Sequence, residues 1–228
     1  IEKKGKLIIP SFAIGRTQEI VYILNNFYNE GKLPNIPIYV DSPLAVNATN
    51  IFRLHLDLFN KDVAEVLEHD DDPFGFGTLR YITNVNHSKS LNNRQEACII
   101  ISASGMMEAG RVKHHIANNI DDPKNSILAI GYCAPTTLGA RILGGEKQIS
   151  IFGTPHTVNA EVFKIDAFSG HADYQEMEQY LRCQNPEKVK KLFIVHGDYE
   201  AQVPYSKVLA KAGFKDIVIP TPGEVFQL

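Results

Sequence analysis

Short, uninterrupted runs of apolar and β-branched residues alternate with segments of helical periodicity, and this alternation limits the folds open to the chain. Strands that are buried on both faces carry continuous apolar runs, whereas half-exposed strands alternate apolar and polar residues. Several runs here are continuous, so the pattern predicts an α/β fold in which helices flank a parallel sheet. The predicted strands are residues 6–10, 36–40, 79–82, 97–102, 126–130, 149–152, 161–167, 190–195 and 216–219.

Helical patterns lie between these runs. In the first, Ile20, Leu24 and Phe27 form one apolar stripe. A second helix is predicted to begin at Pro43, because proline favours the first helical position and Ser42 before it is typical of an N-cap. The predicted helices are residues 16–30, the one beginning at 43, and residues 111–120, 174–183 and 204–212.

Glycines interrupt the periodicity in the middle of the chain, at Gly139, Gly144, Gly145 and Gly153. Little helical pattern separates them, so we place a domain boundary near residue 145. The 228 residues, of which 44% are hydrophobic and 21% charged, suit either one large domain or two modest ones. The organisation we predict is therefore two domains, residues 1–145 and 146–228.

Charge and cysteine content limit the partners and the compartment. A formal net charge of −3 argues against binding polyanions through bulk charge, so a nucleic acid would need a local cleft. No apolar run approaches the roughly 20 residues that cross a bilayer. Three scattered cysteines without a C-x-x-C pair indicate reduced thiols and a cytoplasmic protein. The chain begins with Ile1 and its first methionine is Met106, which predicts a fragment or a processed product.

Polar and small residues follow four predicted strands at the point where each strand ends. These loops are residues 11–16 (SFAIGR), 41–43 (DSP), 102–105 (SASG) and 196–198 (HGD). The carboxyl ends of parallel strands form one ligand crevice, and the helix N-termini there favour phosphate. For any single loop, serine, aspartate and glycine are better explained as ordinary caps and turn residues. Four such loops together favour a phosphate-binding rim.

The histidines divide into isolated and patterned ones. His114 and His115 are adjacent in a helical pattern and point about 100° apart, so we expect contacts with RNA or solvent rather than one shared metal. His171 stands just ahead of a helix whose predicted cap is Asp173, where it would meet an incoming phosphate. His196 ends a buried run in the manner of many zinc ligands.

Six ordered motifs, spread over nearly the whole chain, resemble the signatures of the β-CASP nucleases, the RNA-processing branch of the metallo-β-lactamase superfamily. His171 lies in what resembles motif B, and His196 in what resembles motif C. The motifs are IIPSFAIGRTQE at residues 8–19, VDSPLA at 40–45, SASGMM at 102–107 with Gly110 and Arg111, GY at 131–132 with Gly139, FSGHAD at 168–173, and VHG at 195–197.

This resemblance implies a fold and an activity. Residues 1–145 would form a β-CASP cap domain that lacks its N-terminal edge. Residues 146–228 would form the C-terminal segment of a metallo-β-lactamase αββα sandwich. Family members hydrolyse RNA phosphodiester bonds with two zinc ions, and single-stranded RNA enters the cleft between the two domains.

The resemblance also implies roles for individual residues. His196 would be a zinc ligand, and His171 would be catalytic, protonating the leaving oxygen. Arg16 has an alternative role, because it would pair equally well with Glu19 or Glu108. The expected substrate-binding residues are Ser11, Arg16, Asp41, Ser42, Ser104 and Ser169.

The chain departs from the family pattern in its metal ligands. It contains no H-x-H-x-D-H motif and no motif A acid ahead of Ser11. One ligand cannot hold two zinc ions, so we expect the chain alone to be inactive and to bind no dinuclear zinc cluster. Its expected partner is the missing N-terminal metallo-β-lactamase segment.

Several alternatives stay open at the level of sequence. A non-catalytic RNA-binding or scaffold member of the family is the main one. An unrelated nucleotide-binding domain has little support, because the GFG at residues 75–77 lacks a third glycine and the GGEK at 144–147 lacks P-loop spacing. The choice between endonuclease and 5′-exonuclease is not readable from the sequence, and neither is homodimer formation.

Overall fold

Parallel strands dominate the structure, a computed structural model that describes residues 3–168 and 172–227. Six strands form one sheet in the order β3–β2–β4–β1–β5–β8, and all neighbouring pairs in it are parallel. The predicted parallel α/β fold is thus confirmed. The strands are β1 (Lys6–Pro10), β2 (Ile38–Asp41), β3 (Leu79–Ile82), β4 (Cys98–Ser102), β5 (Ser126–Ala129), β6 (Gln148–Ile151), β7 (Thr154–Thr157), β8 (Glu161–Lys164), β9 (Leu192–Phe193) and β10 (Ile217–Val218).

Helices cover both faces of this sheet. Ile100 and Ile101 are neighbours in β4, so their side chains point to opposite faces, and both are fully buried. This two-sided burial explains why the central runs do not alternate. The helices are α1 (Arg16–Asn29), α2 (Pro43–Leu54), α3 (Lys61–Leu67), α4 (Val85–Asn93), α5 (Arg111–Asn119), α6 (Leu138–Leu143), α7 (Tyr174–Leu181) and α8 (Tyr199–Lys211).

Apolar clusters on the two faces of the sheet hold these layers together. On one face, Val21 of α1 and Ala45 of α2 pack with the strands. On the other, Ile116 of α5 and Ile142 of α6 pack with the antiparallel hairpin β6–β7, through Ile151. Burial of apolar surface is the main stabilising contribution, at about 25 cal/mol per Å².

The predicted helix starts are confirmed where a side chain caps the helix. Ser42 Oγ accepts a hydrogen bond from Ala45 N at 3.2 Å, with Pro43 at the first helical position. Asp173 forms a full capping box, because its carboxylate accepts from Glu176 N and the Glu176 carboxylate accepts from Asp173 N.

Other elements differ from the prediction. The helices α3, α4 and α6 and the strand β7 were not predicted, because these helices are only seven, nine and six residues long and β7 (TPHT) contains no apolar run. α4 instead depends on Asn84, whose side chain accepts from two backbone N–H groups of its first turn. α8 begins at Tyr199 and contains Pro204, which the sequence suggested as a helix start.

The chain divides into two compact units, Ile1–Phe168 and Ser169–Leu228, which we call the large unit and the small unit. Because β8 pairs with β5, the large unit includes residues beyond 145. The predicted domain boundary near residue 145 refers to family domains and stays a prediction. The small unit contains the parallel pair β9–β10 with α7 and α8. None of the helices in the described residues is long and apolar enough to cross a membrane.

Candidate functional site

The loops that follow β1, β2, β4, β5 and β8 emerge at one end of the large sheet, which we call the carboxyl edge. Hydrogen bonds join these loops. Ser11 N donates to Ser102 O at 2.9 Å, Ser102 Oγ donates to Asp41 O at 2.7 Å, and Gly139 N donates to Met106 O at 3.2 Å. Three of the four predicted loops, residues 11–16, 41–43 and 102–105, lie at this edge, whereas residues 196–198 follow β9 in the small unit. Binding of phosphate by these loops stays a prediction.

Asp41 ends β2 and is fully buried beneath this edge. Ser88 Oγ donates to its Oδ2 at 2.5 Å, Arg111 Nη1 donates to its Oδ1 at 2.6 Å, and His115 Nε2 lies 2.6 Å from Oδ2. Burial alone would raise the pKa of Asp41, but the hydrogen bonds from His115, Ser88 and Arg111 outweigh it and hold the pKa below its ordinary value. The carboxylate is therefore charged at neutral pH.

The two basic partners of Asp41 tie several elements together. Arg111 also donates to Thr83 O at 2.6 Å, just beyond β3, and His115 Nδ1 lies 2.7 Å from Asn92 Oδ1 of α4. The expectation that His115 contacts RNA or solvent is wrong. The 100° offset between adjacent helical residues turns His115 into the protein and leaves His114 exposed.

Two predicted substrate contacts make internal hydrogen bonds. Ser42 is buried and caps α2. Ser11 is fully buried, and its Oγ donates to Phe12 O at 3.2 Å while accepting from Thr17 Oγ1 at 3.1 Å. The geometry therefore gives Ser11, Ser42 and Asp41 a role in holding the loops, and their predicted contact with RNA stays a prediction.

Arg16 begins α1 at the carboxyl edge. Its guanidinium forms an ion pair with Glu19, which is the alternative role that the sequence left open. It also lies over the Phe168 ring, 5.4 Å from the ring centroid. The Arg16 side chain is 14% exposed. Phe168 is the first residue of the motif at 168–173, whose Ser169 and His171, two predicted site residues, lie outside the described residues. Arg16 is thus adjacent in the structure to the start of that motif.

The accessible surface of the carboxyl edge combines a hydroxyl with aromatic rings. Ser104 is partly exposed, and its Oγ lies 3.3 Å from Ala109 O. Phe12 is 50% exposed and packs so closely on Gly105 that a Cβ there would lie 3.1 Å from its ring. Tyr132 follows β5 and is also exposed. Sequence reasoning missed both rings, although an aromatic residue beside small residues at a strand end was a usable signal.

His196 lies just beyond β9, with an exposed side chain and a φ of 71°. Its carbonyl accepts a hydrogen bond from Gln202 Nε2 at 2.9 Å. Within residues 3–168 and 172–227, no group of three or more His, Cys, Asp or Glu side chains is arranged to hold a metal ion. These residues by themselves therefore do not fit the zinc centre that the resemblance implies. An exposed imidazole at a strand end suits a single ligand position.

Comparison with known proteins gives two family matches. The profile described as "Beta-Casp domain" matches residues 17–142, and that described as "Zn-dependent metallo-hydrolase RNA specificity domain" matches residues 155–220. The first match alone covers more than half of the chain.

Curated relatives agree with these matches. An RNase J-like protein of Methanocaldococcus jannaschii is 35% identical over 97% of this chain and 49% of its own length. Ribonuclease TTHA0252 of Thermus thermophilus is 31% identical over 93% of this chain and 48% of its own length. Transcription termination factor FttA of Methanosarcina mazei is 30% identical over 97% of this chain and 35% of its own length. The chain thus spans half or less of these relatives.

Proposed function

Because the chain belongs to the β-CASP family of the metallo-β-lactamase superfamily, we propose that the protein containing it is a zinc-dependent ribonuclease that hydrolyses RNA phosphodiester bonds. The observation that carries this proposal is the convergence of five strand–loop ends on the carboxyl edge of one parallel sheet. That is where α/β sheets bind their ligands. The proposed occupant of this edge is single-stranded RNA.

At this edge we distinguish residues that contact RNA from buried residues that hold the loops in place. Ser104 and Arg16 are the proposed phosphate contacts, and Phe12 offers a ring to a base. Glu19, whose side chain is 48% exposed, pairs with Arg16 in the absence of RNA, and a phosphate competes with this carboxylate for the guanidinium. Asp41 acts underneath, where it fixes Arg111 and the start of α5.

Zinc is the proposed cofactor, with two ions in the full protein. We propose His196 as one ligand and assign the other ligands to the upstream metallo-β-lactamase segment that the motifs predict. His171 is the proposed general acid for the leaving oxygen. The same upstream segment is the proposed partner for the apolar surface of the small unit, where Met177, Tyr180 and Val195 are exposed. We assign the protein to the cytoplasm because no disulfide joins its described cysteines.

Transcription termination is a second candidate, supported by relatives of that name. Two proteins named transcription termination factor FttA match 96% and 97% of this chain, almost the same span as the ribonuclease relatives. An assay of transcript release by a stalled RNA polymerase separates this function from hydrolysis of free RNA.

Hydrolysis of a labelled single-stranded oligoribonucleotide by the zinc-loaded full protein tests the main proposal. We expect cleavage in the wild type and a clear loss of RNA affinity in Ser104→Ala. The matched control is Ser90→Ala, an exposed serine of α4 whose hydroxyl donates to His87 O. Absence of cleavage in the zinc-loaded protein would overturn the ribonuclease, and equal affinity of both serine variants would overturn the assigned edge.

A further inference from the structure

The hairpin β6–β7 ends in an unusual turn. Ile151 pairs with Thr154, so Phe152 and Gly153 form a two-residue loop, and both have positive φ, at 54° and 79°. Turns with two positive φ values strongly prefer Asn-Gly or Gly-Gly, and a bulky residue in this region is an outlier. A phenylalanine is nevertheless present, and it is 56% exposed.

Hairpin packing does not explain this phenylalanine. Ile149 and Ile151 anchor the hairpin in the core, and both are buried. At the other end of the hairpin, Asp121 Oδ2 lies 2.7 Å from His156 Nδ1, and Asp121 Oδ1 accepts a hydrogen bond from Thr157 N. Asparagine in place of Phe152 would suit the turn better. The ring therefore has a use outside the hairpin, since strained positions of this kind concentrate at functional sites.

The Phe152 ring lies against α5 as part of an exposed aromatic pair. The His114 ring stacks on it, with 4.6 Å between the ring centroids and 26° between the planes. Lys113 Nζ lies 5.3 Å from the Phe152 centroid and 3.8 Å from Glu108 Oε2. Two exposed, nearly parallel rings with an ammonium group beside them combine a stacking surface with positive charge.

The pair stands next to the carboxyl edge. α5 begins at Arg111, which reaches Asp41 and Thr83 O at that edge, and His114 is only three residues along the helix. At a rise of about 1.5 Å per residue, less than one helical turn separates His114 from Arg111. A strand of RNA bound at Ser104, in the loop before α5, would need to extend by only a few nucleotides to reach this pair.

We propose that His114 and Phe152 form a stacking platform for a nucleobase of single-stranded RNA, with Lys113 beside the adjoining phosphate. This inference rests on the proposed RNA function. Proteins that bind single strands use stacked aromatic rings flanked by basic residues, and the stacking tolerates any base because every base has a π face. The platform consequently extends the binding site without adding sequence specificity.

A fluorescence experiment tests the platform directly, because the 228-residue chain contains no tryptophan. In the Phe152→Trp variant of this chain, a stacked base is expected to quench the single indole. Quenching should occur with a single-stranded oligoribonucleotide and be absent with a ribose-phosphate oligomer of equal length that lacks bases. Phe27→Trp is the matched control, since Phe27 is 44% exposed near the far end of α1 and should show no quenching.

Affinity measurements on the same chain complete the test. Phe152→Leu keeps an apolar side chain but removes the ring, and we expect RNA binding to weaken by about 5- to 150-fold. Phe152→Tyr should restore it, and Phe27→Leu should leave it unchanged. Circular dichroism checks that the variants fold.

The outcomes separate this inference from the proposed function. If wild-type chain and Phe152→Leu bind RNA equally and Phe152→Trp is not quenched, the platform is wrong while RNA binding stands. If the wild-type chain shows no RNA binding at all, the platform is overturned, and the ribonuclease proposal is decided separately by cleavage in the zinc-loaded full protein.

Discussion

The large and small units use the same types of element but differ in how much they bury. Neighbouring residues of β4 are buried on opposite faces of a six-stranded sheet. The small unit has a two-stranded sheet, a core of three buried residues (Ile194, Leu209 and Phe214), and a helix, α7, with no buried residue. Tyr180 of that helix is 75% exposed and borders a cavity of about 570 Å³.

This difference indicates that the number of strands in a sheet determines how many apolar side chains the sheet can bury. A parallel sheet is stable when helices close both faces, and a two-stranded sheet has too little surface to hold such layers. The small unit therefore has apolar surface to offer to another segment, whereas helices cover both faces of the central strands of the large unit. Four experiments test this contrast.

The largest effect is expected at the buried carboxylate of the large unit. Asp41→Ala leaves Arg111 and His115 without their partner, and removing one member of a buried charged pair costs about 3–5 kcal/mol. Urea unfolding followed by circular dichroism measures this. The control is Asp57→Ala, an exposed aspartate, with an expected change within about 0.5 kcal/mol. Equal stability of the two variants would show that Asp41 holds nothing together.

Core truncation compares the two units directly. Ile100→Ala in β4 and Leu209→Ala in α8 each remove a fully buried side chain, at an expected cost of about 2–5 kcal/mol. Hydrogen exchange should become faster throughout the large unit in Ile100→Ala. In Leu209→Ala it should become faster only in α7, α8 and the β9–β10 pair. If Leu209→Ala accelerated exchange in β4 as well, the units would unfold as one.

Acid should weaken the large unit more than the small one. The pKa of Asp41 in the folded protein lies below its ordinary value, so its contribution to stability is complete above pH 3.8 and is lost as pH falls through the lower folded pKa. Stability curves of wild type and Asp41→Asn should converge in this acidic window. The loss should be smaller than in Asp41→Ala, since the amide keeps one oxygen that accepts from Arg111. Parallel curves down to pH 2 would contradict this reasoning.

The smallest effects are expected at the helix caps. Ser42→Ala in the large unit and Asp173→Ala in the small unit each remove a cap, at about 0.5–2 kcal/mol. The loss of stability in Asp173→Ala should lie at the lower end of this range, because Asp173 is exposed. Faster hydrogen exchange in this variant should appear only in α7. Thermal unfolding and residue-level exchange measure both. A larger loss at Asp173 than at Ser42 would reverse the contrast between the units.

Sequence predicted what depends on local pattern. The runs of β1, β2 and β4 were readable because two-sided burial removes alternation. Ser42 and Asp173 were readable because a cap is formed by neighbours in sequence. The pairing of Asp41 with His115 spans 74 residues and depends on the helical phase of α5, so no local signal announces it. Phe152 was predicted as the end of a strand, since a phenylalanine at a positive φ is not what turn preferences lead one to expect.

The hydrogen bonds between the loops of the carboxyl edge have a consequence for how this family diverges. Ser11 N to Ser102 O and Gly139 N to Met106 O join main-chain atoms only, so these links depend little on which side chains the loops carry. An exposed residue such as Tyr132 is then open to replacement without breaking these links. New substrate preferences should arise at this edge by few substitutions, and directed evolution should begin there.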